Sequence, residues 1–347
     1  IGNRNKHYEP PNQKGAEHIM QTIYLTPKDS IQAALDNLSV PPEDPVHIRL
    51  APGTYREKLV IQRPRLLLTG ESAENTVIAY DDYAKFLMPD GTKRGTFRSY
   101  TVLLDTHDVT MEHLTIANLA APRKKAGQAI ALYADGDRLV FRHCRFTGNQ
   151  DTLFTGPLPP APKEAGGFTG PKEFSPRING RHLYDHCHIS GNIDFIFGSA
   201  TAYFRNCQIE TIGEGTFGSK DGEPPVCGYI TAASTPEGQP YGYVFERCTL
   251  TGTNCPAGSV YLGRPWRNYA KTVFLNCTMD ASIHPAGFHD WKKPEAHNTV
   301  YYAEYNSMGE GGACINRAPF SRILTDKEAG NYAIRKVLGE DFPLPAD

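Results

Sequence analysis

Two aspartates, Asp151 and Asp194, close two copies of the same sequence phrase. Residues 141–151 and 183–194 each contain a cysteine, then Gly-Asn, and end in Asp at the seventh position after the cysteine. If each copy belongs to one turn of a coiled parallel sheet, equivalent positions lie about 4.8 Å apart, the spacing of neighbouring strands. The two carboxylates would then be adjacent, and one pKa would rise because neighbouring like charges oppose each other. Such a pair suits a nucleophile beside a general acid and base.

Four further side chains offer chemistry that matches such a pair. Gln128 begins a strand-like segment and Gln150 precedes Asp151, so both amides can donate hydrogen bonds to a developing oxyanion. Arg264 can bind a carboxylate through two hydrogen bonds and keep it ionised. Trp266 would share the strand face of Arg264 and offer an apolar surface to a sugar ring. Together these residues predict acyl transfer with a carboxylate nucleophile.

The elements that must position these residues repeat one frame, which reads aromatic, two polar residues, Cys, polar, apolar. The Cys-bearing copies are residues 141–146, 184–189, 204–209, 245–250 and 274–279, and residues 111–116 fit with Leu in the Cys position. Intervals between about twenty and about forty residues are typical of a solenoid with inserts. A β-sandwich with similar strands is the alternative. It is disfavoured because the Cys recurs at one frame position in five segments.

Composition and charge limit the classes of function. The chain has 347 residues, of which 39% are hydrophobic and 21% charged, as in soluble globular proteins. A net charge of −2 argues against binding nucleic acid through bulk charge, and no stretch is apolar and long enough to cross a membrane. Residues 1–19 form a polar leader without the apolar region of a signal peptide, and are expected to be non-native or disordered. Residues 20–347 are predicted to form a single domain.

The eight cysteines do not indicate disulfides or zinc. Five of them occupy the repeated strand position, which predicts a buried ladder of reduced thiols. Without paired spacings or a CxxC motif, neither a disulfide framework nor a structural zinc site is expected. His186 and His188 flank Cys187 and could chelate a metal, but an exposed polar face is the favoured interpretation.

Elements outside the repeats can also be predicted. Ile31 to Leu38 should form a helix with Asp29 or Ser30 as N-cap, and this helix should cover the open end of the solenoid. Glu328 to Leu338 should form a second terminal helix. Strands are expected at Val46 to Leu50, Tyr55 to Ile61 and Leu66 to Leu68, and Tyr80 to Ser99 should be a loop. The Pro- and Gly-rich insert from Gly156 to Gly180 lies between the two Asp phrases, so it should form a wall of the site.

Five ordered motifs of this chain resemble the signatures of one enzyme family. They are Gly53-Thr54-Tyr55-Arg56-Glu57, Gln128-Ala129-Ile130-Ala131-Leu132, Gln150-Asp151-Thr152-Leu153, Asp194-Phe195-Ile196-Phe197-Gly198 and Leu262-Gly263-Arg264-Pro265-Trp266. On these motifs, from about Ser30 to Leu338, the chain resembles the pectin methylesterases (pectinesterases), of the bacterial type. The resemblance implies an all-β fold, a right-handed parallel β-helix with short capping helices. It also implies removal of methyl esters from the C6 carboxyl of galacturonate units in pectin, with release of methanol.

The resemblance also implies a role for each matched residue. Asp194 would be the nucleophile, Asp151 the general acid and base, Gln150 and Gln128 the oxyanion donors, and Arg264 the residue that orients Asp194. Substrate contacts are expected at Trp266, Phe197, Thr96, Phe154 and Tyr269. Glu57 should be structural, in a turn between coils. No cofactor and no metal are expected. The binding partners would be pectin or methylated oligogalacturonides, and binding to nucleic acid or to a membrane is not expected. The protein would be a monomer. It would be either a processed secreted protein or a cytoplasmic one starting at Met20.

Departures from the family pattern concern the cleft. The insert is longer than usual, Phe154 stands where Tyr often follows the third motif, Tyr269 follows Trp266 where other residues are usual, and Phe288 replaces a Trp. Three alternatives stay open. They are a carbohydrate-active enzyme of another reaction type, such as a retaining glycosidase, an esterase or thioesterase of the same fold with another acyl substrate, and an inactive polysaccharide-binding solenoid. The motifs typical of polygalacturonases and the carboxylate cluster of pectate lyases are not in the sequence.

Overall fold

The computed structural model describes residues 20–120, 122–215 and 225–345, and most of its regular structure is short β-strands. The predicted leader, residues 1–19, lies outside the described residues. In chain order the strands are β1 (Gln21–Leu25), β2 (Val46–Leu50), β3 (Gly53–Tyr55), β4 (Leu59–Ile61), β5 (Leu66–Thr69), β6 (Thr76–Tyr80), β7 (Val102–Asp105), β8 (Val109–Glu112), β9 (Thr115–Asn118), β10 (Leu132–Asp135), β11 (Leu139–Arg142), β12 (Arg145–Thr147), β13 (Leu153–Thr155), β14 (Arg181–Asp185), β15 (His188–Gly191), β16 (Ile193–Gly198), β17 (Thr201–Arg205), β18 (Gln208–Ile212), β19 (Gly228–Ala233), β20 (Tyr243–Glu246), β21 (Thr249–Thr253), β22 (Val260–Gly263), β23 (Lys271–Leu275), β24 (Thr278–Met279), β25 (Tyr301–Tyr305) and β26 (Ser321–Ile323). The helices are α1 (Ile31–Asp36), α2 (Arg123–Ala126), α3 (Asp326–Ala329) and α4 (Ile334–Leu338), with short 3-10 turns at Thr96–Arg98, Pro294–Asn298, Glu310–Gly312, Cys314–Asn316 and Gly330–Tyr332.

The strands stack into three parallel sheets, and each full turn of the chain adds one strand to each of them. Sheet A has the order β1-β2-β5-β8-β11-β14-β17-β20-β23-β25-β26, sheet B the order β24-β21-β18-β15-β12-β9-β6-β3, and sheet C the order β22-β19-β16-β13-β10-β7-β4. In the turn that carries the Asp phrases, β11 and β14 pair in sheet A, β12 and β15 in sheet B, and β13 and β16 in sheet C. The predicted solenoid is confirmed, and the architecture is a parallel β-helix.

The cysteines of the repeat lie at the corner between sheets A and B. The residue before each cysteine has a left-handed backbone, as in His143 (φ 50°) and His186 (φ 52°), which turns the chain from one strand to the next. Cys144 and Cys187 are buried, and the His188 N–H donates to the Cys144 carbonyl at 2.9 Å. The cysteines therefore occupy equivalent inward positions on neighbouring turns, as predicted. They do not lie on strands, however, because the sharp corner separates the two halves of each frame.

The aromatic position of the frame forms a continuous stack inside the coil. Neighbouring rings are nearly parallel, with centroids 4.4–4.8 Å apart, in the order Phe141, Tyr184, Phe204, Phe245 and Phe274. This spacing is that of the strands themselves, so the backbone ladder sets the ring ladder. Each such pair contributes about 0.5–1.5 kcal/mol beyond the area it buries.

Helix α1 covers the first turn of the coil. Ser30 is its N-cap, and its side chain accepts from the Ala33 N–H, as predicted. Gln32 exchanges two hydrogen bonds with the backbone of Val60 in β4, the edge strand of sheet C. The Glu57 carboxylate accepts from the backbone N–H groups of Ile31 and Gln32 at 2.9 and 3.1 Å, which agrees with the structural role expected for it. The helix thus satisfies backbone groups that the open end would leave unpaired.

Two expectations about secondary structure were wrong in detail. The strand expected over Tyr55 to Ile61 is split into β3 and β4, because the corner at Arg56–Lys58 moves the chain between sheets. The helix expected over Glu328 to Leu338 is divided into α3 and α4 by the turn at Gly330–Tyr332. Leu338, at the end of α4, is buried on the outer face of sheet A.

The two histidines beside Cys187 do not meet. His186 contacts Asp185 at 3.0 Å and stacks on His143, whereas His188 contacts Glu210 at 2.9 Å. Within the described ranges, no group of three or more His, Cys, Asp or Glu side chains is arranged to hold a metal ion. Nor does any helix of the described part have the length and apolarity to cross a bilayer.

Candidate active site

The coil places Asp151 and Asp194 side by side. Leu139 pairs with His182, Arg145 with His188 and Leu153 with Ile196, so each partner lies 43 positions further along the chain. Asp194 follows Asp151 by the same interval. The Asp151 N–H donates to the carbonyl of Ile193 at 3.0 Å, which ties the two aspartate turns together. The adjacency predicted from the repeat is therefore present.

Both aspartates stand where the chain passes from sheet B to sheet C, in left-handed backbone conformations. The φ angles are 66° for Asp151 and 52° for Asp194. This conformation costs an ordinary residue about 1–2 kcal/mol, but Asp tolerates it better because its short side chain bonds locally. The turn geometry thus favours Asp or Asn at both positions, and it aims both carboxyl groups into one cavity.

Arg264 holds the carboxylate of Asp194 with two parallel hydrogen bonds. Its Nε donates to Oδ1 and its Nη2 to Oδ2, each at 2.7 Å. The guanidinium lies between the rings of Tyr229 and Trp291, 3.8 and 3.7 Å from their centroids. Burial opposes the charge, but the charge and hydrogen bonds of Asp194 keep the pKa of Arg264 above its ordinary value. The pair therefore fixes the orientation of the Asp194 carboxylate.

Gly263 allows Arg264 to reach that position. A Cβ on Gly263 would lie 2.1 Å from the Thr231 Oγ1 in the neighbouring strand β19. Without that Cβ, the Arg264 N–H donates to the Thr231 carbonyl at 2.9 Å. The Gly-Arg order of the fifth motif thus has a packing reason.

Asp151 has a different environment. It is buried, and burial raises its pKa well above the ordinary value for a carboxyl group, with a further increase from the charge of Asp194. The Arg264 charge and a hydrogen bond from Gln150 oppose the increase without cancelling it. Burial therefore favours the protonated form of Asp151, whereas Arg264 orients the carboxylate of Asp194 through two hydrogen bonds, an arrangement that suits separate acid and nucleophile roles.

The two glutamines are neighbours on adjacent turns. Gln128 and Gln150 form an isolated parallel bridge, and the Ala129 N–H donates to the Gln150 carbonyl at 3.0 Å. Both residues line the cavity that contains the aspartates. Two uncharged amides thus face the space where a reacting carbonyl would lie.

The cavity has a volume of about 380 Å³ and combines polar groups with aromatic rings. Its lining consists of Thr96, Phe97, Gln128, Gln150, Asp151, Pro162, Lys163, Glu164, Gly167, Phe168, Asp194, Phe197, Ala232, Arg264, Trp266, Arg267 and Trp291. Aromatic surface beside hydrogen-bonding groups is typical of small-ligand sites.

The long insert forms one wall of this cavity, as predicted from its place between the aspartates. Phe168 is buried against Phe97 and Trp266, with ring centroids 5.6 and 6.2 Å apart. Lys172 is paired with Asp105 and lies 3.5 Å from Asp135. These anchors hold the wall in place against sheet C.

Anchoring continues at the C-terminal end of the insert. The Arg177 guanidinium donates to the carbonyls of Lys172, Glu173 and Ser175 at 2.6–2.9 Å. A single side chain therefore closes the loop on itself, which fixes backbone groups that would otherwise face solvent.

Eight of the ten residues expected at the site line the cavity, and two do not. Phe154 is fully buried, with its ring 5.2 Å from Phe97 and 4.8 Å from Phe197, so it supports the aromatic floor from below. Tyr269 bonds to Glu237 and lies outside the cavity lining. Neither residue lines this cavity, and substrate contact at these two positions stays a prediction.

Several residues of the site, in the cavity lining or against Arg264, were not anticipated. Phe97 follows Thr96 directly in the sequence. The substrate contact expected at Thr96 was therefore the signal that could have identified Phe97. Tyr229 and Trp291 had no motif that connected them with Arg264, because their contact depends on how distant turns stack. Lys163 and Phe168 lie in an insert without periodicity, where the sequence predicts a wall but not its side chains.

Comparisons with known proteins agree on one family. The family model described as pectinesterase matches residues 26–157 and 177–341, so residues 158–176 of the insert lie between the matched segments. Pectinesterase QRT1 of Arabidopsis thaliana is 32% identical over 319 residues, covering 90% of this chain and 73% of that protein. Pectinesterase 31 of the same plant is 33% identical over 310 residues, covering 87% of this chain and 86% of that protein.

Solved structures give the same result. Pectin methylesterase PemA from Erwinia chrysanthemi is 30% identical with a TM-score of 0.72, over 94% of this chain and 98% of that chain. A pectin methylesterase crystallised with a hexasaccharide is 31% identical with a TM-score of 0.71, over 91% of this chain and 94% of that chain.

Proposed function

The chain belongs to the pectinesterase family and is a carboxylic ester hydrolase that removes methyl esters from pectin, and we propose that Asp194 and Asp151 perform this reaction as nucleophile and general acid/base. The observation that carries the assignment is the unequal environment of the two carboxyl groups. Arg264 orients the carboxylate of Asp194 through two hydrogen bonds, whereas burial and the charge of Asp194 favour the protonated form of Asp151.

In the first half of the reaction, an oxygen of Asp194 attacks the carbonyl carbon of the C6 methyl ester. The oxyanion of the tetrahedral intermediate accepts hydrogen bonds from the amides of Gln128 and Gln150. Collapse of the intermediate breaks the bond to the methoxy oxygen, which takes the proton of Asp151 and leaves as methanol. The product is an acyl-enzyme anhydride between Asp194 and the galacturonate carboxyl group.

In the second half, Asp151 is ionised and acts as a base. It takes a proton from a water molecule, whose oxygen attacks the anhydride carbonyl of the sugar. The bond to Asp194 breaks, the new carboxyl group of the sugar loses its remaining proton to solvent and leaves as the carboxylate, and both aspartates return to their starting protonation states. Because every group in this scheme comes from one chain, the reaction is proposed for a monomer, with Trp266, Phe197 and Thr96 in contact with the sugar chain.

Methanol release tests the proposal. The wild-type protein should release methanol from highly methylated pectin and leave a simple non-carbohydrate ester, such as p-nitrophenyl acetate, largely intact. Asp194→Ala should abolish methanol release while circular dichroism shows an unchanged fold. Near-normal release by this variant would disprove the nucleophile assignment, and a preference for the simple ester would favour an esterase with another substrate.

A further inference from the structure

Each of the two aspartate phrases carries an asparagine two residues before its aspartate. These asparagines are Asn149 and Asn192, which occupy equivalent positions on neighbouring turns. Asn192 is fully buried between β15 and β16, whereas Asn149 is half-buried. Asn192 is not one of the described residues that line the cavity, so the proposed reaction leaves it without a role.

The side chain of Asn192 fixes the residue that joins the two aspartates. Its Oδ1 accepts from the Ile193 N–H at 2.7 Å, and the Ile193 carbonyl accepts from the Asp151 N–H at 3.0 Å. That carbonyl belongs to the peptide group whose nitrogen is that of Asp194. Both polar backbone groups of Ile193 are therefore held. A rotation of this backbone would break one of the two bonds and shift Asp151 relative to Asp194.

The main chain of Asn192 extends the same contact to a third turn. Its N–H donates to the Asn149 carbonyl, and its carbonyl accepts from the Tyr229 N–H, each at 3.0 Å. The Tyr229 ring in turn lies 3.8 Å from the guanidinium of Arg264. A Cβ on Gly228 would lie 2.7 Å from the Asn192 carbonyl oxygen, so this close approach requires a glycine. Asn192 is thus bonded to the turns on both sides of the one that carries Asp194.

One atom of Asn192 makes this position costly. The amide Nδ2 has no hydrogen-bond partner among the described residues, although it is buried. A buried donor without a partner destabilises the fold. A threonine could accept the same Ile193 N–H through its hydroxyl group without burying an NH2 group. The accepting oxygen, and not the rest of the amide, is therefore what this position supplies.

We propose that Asn192 is a positioning residue for the reaction: its Oδ1 holds Ile193, and through Ile193 it sets the position of the general acid/base relative to the nucleophile. The inference rests on the proposed function of Asp151 and Asp194. A displacement of reacting groups by about 1 Å can cost on the order of 10²-fold in rate, so a small rotation at Ile193 is sufficient. Because Asn192 does not line the cavity, its loss should lower kcat and leave KM nearly unchanged.

Two substitutions of nearly equal shape isolate the accepting oxygen. Asn192→Thr keeps an oxygen that can accept from the Ile193 N–H, whereas Asn192→Val has a methyl group in its place, and both remove the unpaired amide donor. In assays of methanol release from highly methylated pectin, Asn192→Val should lose at least about tenfold in kcat, with KM within about twofold of the wild-type value. Asn192→Thr should retain most of the wild-type kcat. Asn149→Val, at the equivalent position one turn earlier, is the control and should leave kcat unchanged.

The titration of Asp151 provides a readout that a purely structural role would not move. Carbon NMR of labelled aspartate should show a lower pKa for Asp151 in Asn192→Val than in Asn192→Thr, because a looser turn admits water to a carboxyl group whose pKa is raised by burial. Thermal unfolding followed by circular dichroism reports the stability of the same variants separately.

The outcomes separate this inference from the reaction itself. If Asn192→Val keeps the wild-type kcat and the wild-type titration of Asp151, Asn192 only packs, and the reaction assignment stands. Equal losses of kcat in Asn192→Thr and Asn192→Val would also overturn the inference, because the accepting oxygen would then not matter. Should Asn192→Val not fold, Asn192→Ala replaces it in the comparison with Asn192→Thr. If the wild-type protein releases no methanol, the proposed function itself fails.

Discussion

Asp151 and Asp194 occupy equivalent positions on neighbouring turns with the same left-handed backbone, but among the described residues only Asp194 is held by Arg264 in a two-point ion pair. The repeat creates two like carboxyl groups, and the arginine makes them different. Since two adjacent carboxylates do not both ionise readily, the proton of the pair is directed to Asp151. The proposed division of roles thus follows from one asymmetric contact.

Asp151→Asn should stabilise the fold and remove activity. The pKa of Asp151 is raised in the folded protein, so its stabilising contribution is complete below the unfolded pKa and is lost as the pH rises through the folded pKa. Asn does not titrate, so the gain in unfolding free energy should grow with pH, by about 1.4 kcal/mol for each unit of pKa shift. Urea unfolding of both proteins between pH 4 and about pH 8 measures this difference. A difference that does not change with pH would contradict the raised pKa.

Asp194→Asn should lower the pKa of Asp151. The substitution removes the negative charge that favours protonation of Asp151 and leaves the positive charge of Arg264 nearby. Carbon NMR of labelled aspartate side chains can follow the titration of Asp151 directly. Glu340→Gln, which changes an exposed carboxylate far from the cavity, serves as the control and should leave this titration as it is in the wild type.

Arg264→Lys should reduce kcat strongly and stability little. Lysine keeps the charge but loses the planar fork that makes both 2.7 Å hydrogen bonds to Asp194, and it loses the stacking between Tyr229 and Trp291. We expect at least a tenfold loss in kcat, or ~1.4 kcal/mol in the activation free energy. An unchanged kcat, measured by methanol release at saturating pectin, would mean that Arg264 only packs.

Gln150→Ala should cost on the order of 10²-fold in kcat, because it removes one donor to the oxyanion. Since Gln150 also bonds to Asp151 and opposes the increase in its pKa, the pH profile of kcat should shift to higher pH. Gln208→Ala removes an exposed glutamine on sheet B and is the matched control. Equal kinetics for the two variants would exclude Gln150 from the reaction.

Phe168→Ala should alter activity on long pectin more than on short oligomers. Phe168 anchors the insert against Phe97 and Trp266, so its loss should loosen a wall that contacts the polymer beyond the reacting unit. The comparison is kcat/KM on pectin against kcat/KM on a methylated trimer. Phe174 lies in the same insert but is 93% exposed, so Phe174→Ala should have little effect on either substrate. Equal losses on both substrates for Phe168→Ala would show that the wall does not select by length.

The sequence alone determined the coil, the pair of aspartates and most of the cavity residues that are proposed to act with them. These features repeat at a regular interval or lie in short motifs, and in a solenoid a regular interval becomes contact between adjacent turns. Glu57 and Ser30 were also assigned correctly, because helix capping depends on local backbone groups.

Tertiary structure decided what lies between the repeats. The left-handed residue before each cysteine places the cysteines at a corner, which a strand-like pattern does not reveal. The contact of Arg264 with Tyr229 and Trp291 and the burial of Phe154 join segments with no common period. Their positions depend on how loops of unequal length pack against a regular coil, so the sequence predicts the reaction, whereas the packing of those loops determines the shape and charge of the cleft.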